Sequence, residues 1–274
     1  MNVRDFVWHR LLRRPYQLAA SEAGDGEPLV LLHGLGASGE IWDPLLKRLD
    51  ASDWHAVIPD LLGFGDSPRP EWSNYSVDDH ARSVIATLNK MGVKKPAVIV
   101  GHSMGCLVAA HVATRYPGRV KRMVLYAPPL FADEPVFRKH ARKRERYFAF
   151  FEYIAAHPEV AFLQHRWIWK MAKRMAGLDL NEEKWLPFER SLRNTIMEQR
   201  AYQEMVRLRV PTDVVHGRLD FVVIKTEVDK MLRANPNIQM HTITGTHGVS
   251  LIPVKYLAQL LEAQKEKQPR GRTA

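Results

Sequence analysis

The sequence predicts an α/β fold: a mostly parallel sheet flanked by helices, interrupted once by an all-helical insertion. Short apolar runs such as Leu29-Val30-Leu31-Leu32 and Val98-Ile99-Val100 alternate with stretches of helical periodicity. Strands that are apolar on both faces belong in sheets covered on both sides. Their alternation with helices implies parallel pairing through right-handed crossovers. From about Leu130 to Arg209 that rhythm stops, and only helical periodicity rich in aromatic and charged residues remains.

In chain order, Arg14 to Ala20 can form an opening strand before the turn Gly24-Asp25-Gly26. The run Leu29 to Leu32 is the first buried strand and ends in His33-Gly34-Leu35-Gly36. Ser38 can cap a helix carrying Ile41, Leu45, Leu46 and Leu49 on one face. Ala56-Val57-Ile58 is the next strand, followed by a loop from Asp60 to Ser67. Ser76 to Met91 reads as a capped amphipathic helix, with Asp78 and Asp79 where the helix dipole favours negative charge. The run Val98 to Val100 ends in Gly101-His102-Ser103-Met104-Gly105, and a helix follows to about Tyr116. Val120 to Tyr126 is another strand. After the insertion, Thr212 to Gly217 and Ile238 to Ile243 are strands, followed by helices over Val222 to Arg233 and Val249 to Gln264. The expected organisation is a core domain (1–129 and 210–264), a helical cap (130–209) punctuated by Pro158 and Pro187, and a basic disordered tail (265–274).

Composition narrows the setting. The single cysteine, Cys106, excludes an internal disulfide and suits a reducing compartment. No apolar run reaches the roughly 20 residues of a membrane-spanning helix. Met1 to Arg14 lacks the continuous apolar core of a secretory signal, so a cytoplasmic location is expected. The net charge of +10 raises nucleic acid, anionic membrane or acidic substrates as partners. The basic residues are dispersed and no nucleic-acid motif accompanies them, so nucleic acid is not expected. The insertion is aromatic and net basic, opening on the run Arg138 to Arg146. Weak association with an anionic lipid surface is expected of such a lid.

The chemistry centres on Ser103. Passing from strand to helix through Gly-x-Ser-x-Gly requires a reversal that lifts the serine hydroxyl above the sheet end, with no room for side chains at Gly101 and Gly105. A serine hydroxyl needs a base within hydrogen-bond reach and an acid behind that base. Residues just past strand C-termini converge on one edge, which selects Asp220 and His247. The sequence has 12 histidines. His33 and His102 share that edge but sit beside glycine turns. His80 and His111 lie in helices, His140, His157 and His165 in the insertion, and His241 in a strand. Among acids, Asp213 precedes its strand and Asp229 lies in a helix, while Asp133 stays a rival to Asp220. Oxyanion donors are expected from the amides of Met104 and Leu35, with Gly34 the alternative to Leu35. His33, Gly34 and Gly36 set the turn geometry there. No metal-ligand or dinucleotide pattern is present.

On these motifs, together with Gly217-Arg218-Leu219-Asp220 and Gly245-Thr246-His247-Gly248, the chain resembles the α/β-hydrolase superfamily over nearly its whole length. The resemblance implies an eight-stranded, mostly parallel sheet, a Ser–His–Asp triad, no cofactor and a helical cap over Ser103. The chain is similar to the branch holding carboxylesterases, monoacylglycerol lipases, carbon–carbon bond hydrolases and serine perhydrolases. Serine at the elbow tip, where epoxide hydrolases and haloalkane dehalogenases carry aspartate, argues against those activities. The expected function is hydrolysis of a small-molecule carboxylic ester with a hydrophobic acyl group, by a monomer or homodimer. Carbon–carbon bond hydrolysis of the meta-cleavage type, or perhydrolase or thioesterase action on the same triad, are alternatives. A non-enzymatic receptor on this fold is the rival from a different class.

Overall fold

Seven strands form a single sheet in the computed structural model, which describes residues 6–131, 180–220, 222–223 and 225–266 and scattered positions from 145 to 157. They are β1 (Ala20–Ala23), β2 (Glu27–Leu32), β3 (Trp54–Pro59), β4 (Ala97–His102), β5 (Val120–Tyr126), β6 (Thr212–Gly217) and β7 (Ile238–Ile243). Their spatial order is β1-β3-β2-β4-β5-β6-β7. β1 pairs antiparallel with β3, and every other pair is parallel.

The eighth strand implied by resemblance is absent among the described residues, and the expected opening strand begins only at Ala20. Upstream, Phe6–Leu11 is wound into a π-helical turn. The backbone N–H groups of Leu18 and Ala19 donate to Thr87 Oγ1 (2.8 Å) and Ser67 Oγ (3.0 Å) rather than to a neighbouring strand.

The expected helix after Ser38 splits into a 3₁₀ turn, Gly39–Trp42, and a short α1, Asp43–Leu46. Ser38 makes no side-chain cap, and the Gly39 N–H at the start of the turn donates to Asp60 Oδ1 at 2.7 Å. α2, Val77–Lys90, starts on a full capping box in which Ser76 and Asp79 each bond the other's backbone N–H. α3, Met104–Arg115, is buried along most of its length.

Between β5 and β6 the described residues form α4 (Glu182–Ser191), a π-helical turn (Leu192–Met197) and α5 (Ala201–Arg207). Pro187 lies inside α4 instead of separating two helices. Tertiary contact holds it there: Pro187 packs so closely on Gly63 that a Cβ on that glycine would sit 2.4 Å from it. Pro158, Asp133 and most of the basic run 138–146 lie outside the described residues. α6 is Lys225–Ala234 and α7 is Leu251–Glu266, so Lys265 and Glu266 are helical and the rest of the expected tail lies outside the described residues. None of the described helices is long and apolar enough to cross a membrane.

Strand order creates the crevice. From β2 the chain winds outward to β3, then returns to place β4 on the other side of β2 and proceeds to β7. The loops leaving β2 and β4 therefore diverge, and ligands bind in the gap at such a reversal. The insertion is anchored beside that edge. Arg190 Nη1 donates to the Ser73 carbonyl (2.7 Å), Thr195 Oγ1 to that of Tyr75 (2.9 Å) and Gln199 Nε2 to that of Pro129 (2.8 Å).

Asp213 lies within β6 rather than before it, and it ties three strands together. It accepts from Arg122 Nε (2.9 Å) on β5 and from His241 Nε2 (2.7 Å) on β7, while Tyr256 of α7 donates to His241 Nδ1 at 2.8 Å. Asp213 is the buried member, while Arg122 and His241 are partly exposed and stay hydrated without it, so the loss is that of hydrogen bonds to a charged group. Asp213→Ala is expected to lower unfolding free energy by about 2 kcal/mol, read from urea denaturation at neutral pH.

Candidate active site

Ser103 follows β4 with φ +50° and ψ −118°, a conformation that costs a non-glycine residue about 1–3 kcal/mol. Packing imposes it. A Cβ at Gly101 would lie 2.7 Å from the Gly105 carbonyl, and one at Gly105 only 2.4 Å from that of Leu32. The first turn of α3 thus rests on the end of β2, and the reversal between β4 and α3 has no slack. The Ser103 N–H donates to the Tyr126 carbonyl at 3.0 Å, tying the serine to the end of β5.

Three expected residues meet here. His247 Nε2 stands 3.0 Å from Ser103 Oγ, and His247 Nδ1 stands 3.0 Å from Asp220 Oδ2. The other Asp220 oxygen accepts from the N–H groups of Val222 (2.8 Å) and Val223 (3.2 Å). Burial by itself would raise the Asp220 pKa, but His247 and the two amides outweigh it and hold the carboxyl below its ordinary value. Asp220 is therefore ionised at neutral pH and its oxygens are committed in direction.

The loop carrying His247 is fastened from below. His102 Nε2–H donates to the His247 carbonyl at 2.8 Å, and Tyr126 OH donates to the carbonyls of Thr246 and, at 3.3 Å, Gly248. Burial, reinforced by the nearby His247, pushes the His102 pKa down to about 3. With Nε2 donating, Nδ1 carries no proton; it faces Gly34, where a Cβ would come within 3.0 Å. His33 supports the neighbouring turn. Its Nδ1–H donates to the Gly34 carbonyl and its Nε2 accepts the Leu61 N–H, both at 2.8 Å, and burial lowers its pKa as well.

Gly34 also lies against the serine, since a Cβ there would be 3.2 Å from Ser103 Cβ. Leu35 follows in the same turn and Met104 opens α3. Neither amide has a hydrogen-bond partner among the described residues. Gly36 takes φ +70° and completes the turn.

Residues 27–251 match the family model for the alpha/beta hydrolase fold. The chain belongs to the α/β-hydrolase fold family. Among relatives, a "probable lysophospholipase", BODYGUARD 4 of Arabidopsis thaliana, is 25% identical over 252 residues, covering 82% of this chain and 60% of that protein. The chain thus spans about 60% of the length of that relative. Lipase 3 of a Moraxella strain is 33% identical over 100 residues, covering 36% of this chain and 31% of its own. A thermophilic esterase from Thermogutta terrifontis superposes with a TM-score of 0.67 at 23% identity, over 91% of this chain and 93% of that one. An esterase from Exiguobacterium antarcticum gives 0.70 at 16%, over 92% and 98%. At these identities the two structures speak for the fold alone.

Within this α/β-hydrolase fold the other histidines are accounted for by packing. His80 of α2 contacts Ser191 Oγ of α4 at 3.2 Å, His111 lies between Glu204 (2.6 Å) and Asp78 (3.3 Å), and His157 lies against Tyr153 with the two rings tilted. His140, His165 and the rival acid Asp133 lie outside the described residues. Cys106 is buried, its Sγ 3.1 Å from the Gly101 carbonyl, and burial pushes its thiol pKa up. Among the described residues no group of three His, Cys, Asp or Glu side chains is arranged to hold a metal ion.

Two contributors escaped the sequence reading. The sequence offers His102 only as a structural polar residue beside a glycine turn, and it gives Tyr126 no site role. Tyr126 ends β5 on the same edge as Asp220 and His247, so the strand-end criterion that selected those two also points to it.

His80 and His102 are fully buried with pKa values of about 3, against about 6.5 in an unfolded chain. For His80 the cause is again burial, with the neighbouring His33 acting in the same direction. Between these pH values the unfolded state takes up protons that the folded state refuses, so stability falls as pH drops. Each group contributes a slope of about 1.4 kcal/mol per pH unit below pH ~6. Urea midpoints measured from pH 7.5 down to 5 are expected to show this loss, and His80→Gln to remove about one proton from the slope. A flat profile would contradict the buried, neutral assignment.

Proposed function

We propose that this protein is a serine hydrolase that cleaves small-molecule carboxylic esters through an acyl-enzyme. The observation that carries this reading is the continuous chain from Asp220 through His247 to Ser103, ending in a serine on strained, left-handed backbone. Relatives described as lysophospholipase and lipase support an ester with a hydrophobic acyl group.

Ser103 Oγ attacks the ester carbonyl while His247 Nε2 takes its proton. The imidazolium so formed is stabilised by ionised Asp220, whose second oxygen is fixed by two amides. The tetrahedral oxyanion lies between the N–H groups of Leu35 and Met104, the latter aided by the positive end of α3. His247 then passes its proton to the departing alcohol. Water, deprotonated by His247, attacks the acyl carbon, and as the bond to Ser103 Oγ breaks His247 returns the proton to that oxygen and the acid is released. His102 and Tyr126 act as positioning residues for the His247 loop. The buried, unbridged Cys106 supports a cytoplasmic setting as part of the same reading.

Ser103→Ala is expected to abolish hydrolysis of p-nitrophenyl butyrate and labelling by a fluorophosphonate. Asp220→Asn is expected to lower kcat by about 10³–10⁴-fold with little change in fluorescence-detected folding. An ester panel of graded acyl length, run beside a meta-cleavage dienoate, tests the bond type. Preference for the dienoate would replace the ester reading with carbon–carbon hydrolysis. Failure of wild-type protein to label would point instead to a non-catalytic receptor.

A further inference from the structure

Large apolar side chains scattered singly over a surface are ordinary, but contiguous ones mark contact sites. Here Val7, Trp8, Leu11 and Leu12 are 42%, 51%, 63% and 55% exposed within six consecutive residues. They are held outward by a formed turn. The Leu12 N–H donates to the Val7 carbonyl (3.0 Å) and the Arg14 N–H to that of Trp8 (3.1 Å). His9 Nδ1–H donates to the Arg14 carbonyl at 2.8 Å, and its ring stacks on Tyr16 with centroids 3.7 Å apart.

Cationic groups interleave with these side chains. The Arg10 guanidinium lies over Phe6 (5.4 Å to the ring centroid) and that of Arg14 over Trp8 (5.6 Å). Beside the turn is a cavity of about 420 Å³ whose lining includes Arg10, Arg13, Arg14, Arg82, Trp72 and Asp79. Arg82 donates to the Arg13 carbonyl and lies 3.9 Å from Asp78. Asp79, the one carboxylate in the lining, already accepts from Ser76 N–H (3.1 Å) and Ser76 Oγ–H (2.9 Å). Arg10, Arg13 and Arg14 have no carboxylate partner among the described residues.

We propose that segment 6–14 and this arginine-lined cavity form a docking surface for an anionic phospholipid bilayer. Trp8, Leu11 and Leu12 enter the headgroup–acyl boundary, and Arg10, Arg13 and Arg14 engage phosphate oxygens, for which the guanidinium fork is suited. Two features favour a membrane over a second copy of the chain. A net charge of +10 repels a like molecule and attracts an anionic sheet. The apolar and cationic groups are also interleaved, as a lipid's acyl and phosphate zones require. Orientation follows from topology. α2 leaves the C-terminal edge of the sheet after β3, so Asp79 and Arg82 in its first turns lie on the edge that carries Ser103. The lining also includes Ser73 and Asn74, whose carbonyls accept from Arg190 and Asn194 of the insertion. Docking therefore turns the candidate active edge toward the lipid. It differs from the lid expectation, which rested on residues 138–146.

The test is co-sedimentation of the full chain with phosphatidylcholine vesicles, with and without phosphatidylglycerol, at low and high salt. Binding is expected only with phosphatidylglycerol and is expected to weaken with salt. Trp8→Ser/Leu12→Ser is expected to lower partitioning at least about tenfold. Arg10→Gln/Arg13→Gln/Arg14→Gln is expected to lower it on the order of 100-fold. Both variants should keep the wild-type melting temperature and p-nitrophenyl butyrate hydrolysis, and Ser103→Ala should bind vesicles normally. Vesicle binding thus stands or falls apart from the ester reading. Equal binding to neutral vesicles, unchanged partitioning of either variant, or displacement by inorganic phosphate at constant ionic strength would overturn the proposal. So would a wild-type dimer that Trp8→Ser/Leu12→Ser converts to monomer without changing vesicle binding.

Discussion

The contact on which the rest of the site depends is the seating of α3 on the end of β2. A glycine at 105 lets the helix approach the carbonyls of Leu32 and His33 to a distance that no Cβ tolerates. That approach leaves the chain no alternative to the left-handed conformation at Ser103. It also sets the two loops that diverge from β2 and β4 side by side, with the amides of Leu35 and Met104 at their roots. Strain at the serine is thus sustained by close packing across a parallel pair buried on both faces, not by any local preference of the segment itself.

Around this contact, charge is confined to one line. His33, His80 and His102 are buried neutral, Cys106 is held as a thiol, and the ionised group behind the serine is Asp220. A neutral His102 suits its place: an imidazolium one loop away from His247 would oppose formation of a second one. His102 instead spends its one N–H on the His247 carbonyl, while Tyr126 holds the carbonyls on either side. Backbone carbonyls are the handles by which the loop is gripped, so the His247 ring is left to Ser103 and Asp220 alone.

The same edge gathers the insertion and the interleaved apolar and basic surface. α4 and the turn after it grip the loop 71–75 through backbone carbonyls, and that loop walls the arginine-lined cavity. The surface proposed for lipid and the serine proposed for catalysis share one side of the sheet because β1, antiparallel to β3, begins where β3 ends, and the loops leaving β3 and β4 open on that same edge.

Local pattern sufficed for much of this. β5, β6 and β7 span the residues their apolar runs mark out, and α2 starts on the cap that Ser76 announces. The glycine-flanked serine and the strand-end rule select Ser103, Asp220 and His247, because the direction of parallel strands decides which loops meet. What depended on distant partners was not legible. The turn after Ser38 is anchored by Asp60 rather than by a Ser38 cap, Pro187 stays within α4 by packing on Gly63, and β1 begins only at Ala20 because Thr87 and Ser67 take the N–H groups of Leu18 and Ala19. Asp213 reads as a stray acid until Arg122 and His241 surround it. The sequence by itself determined the parallel α/β class and the residue types available at the sheet edge, since both follow from periodicity and turn chemistry. Only the tertiary structure decided which imidazole nitrogen meets which oxygen, that His102 and Tyr126 hold the loop between them, and that segment 6–14 turns its apolar side chains outward. Those outcomes rest on contacts between residues far apart in the chain, which no local pattern encodes.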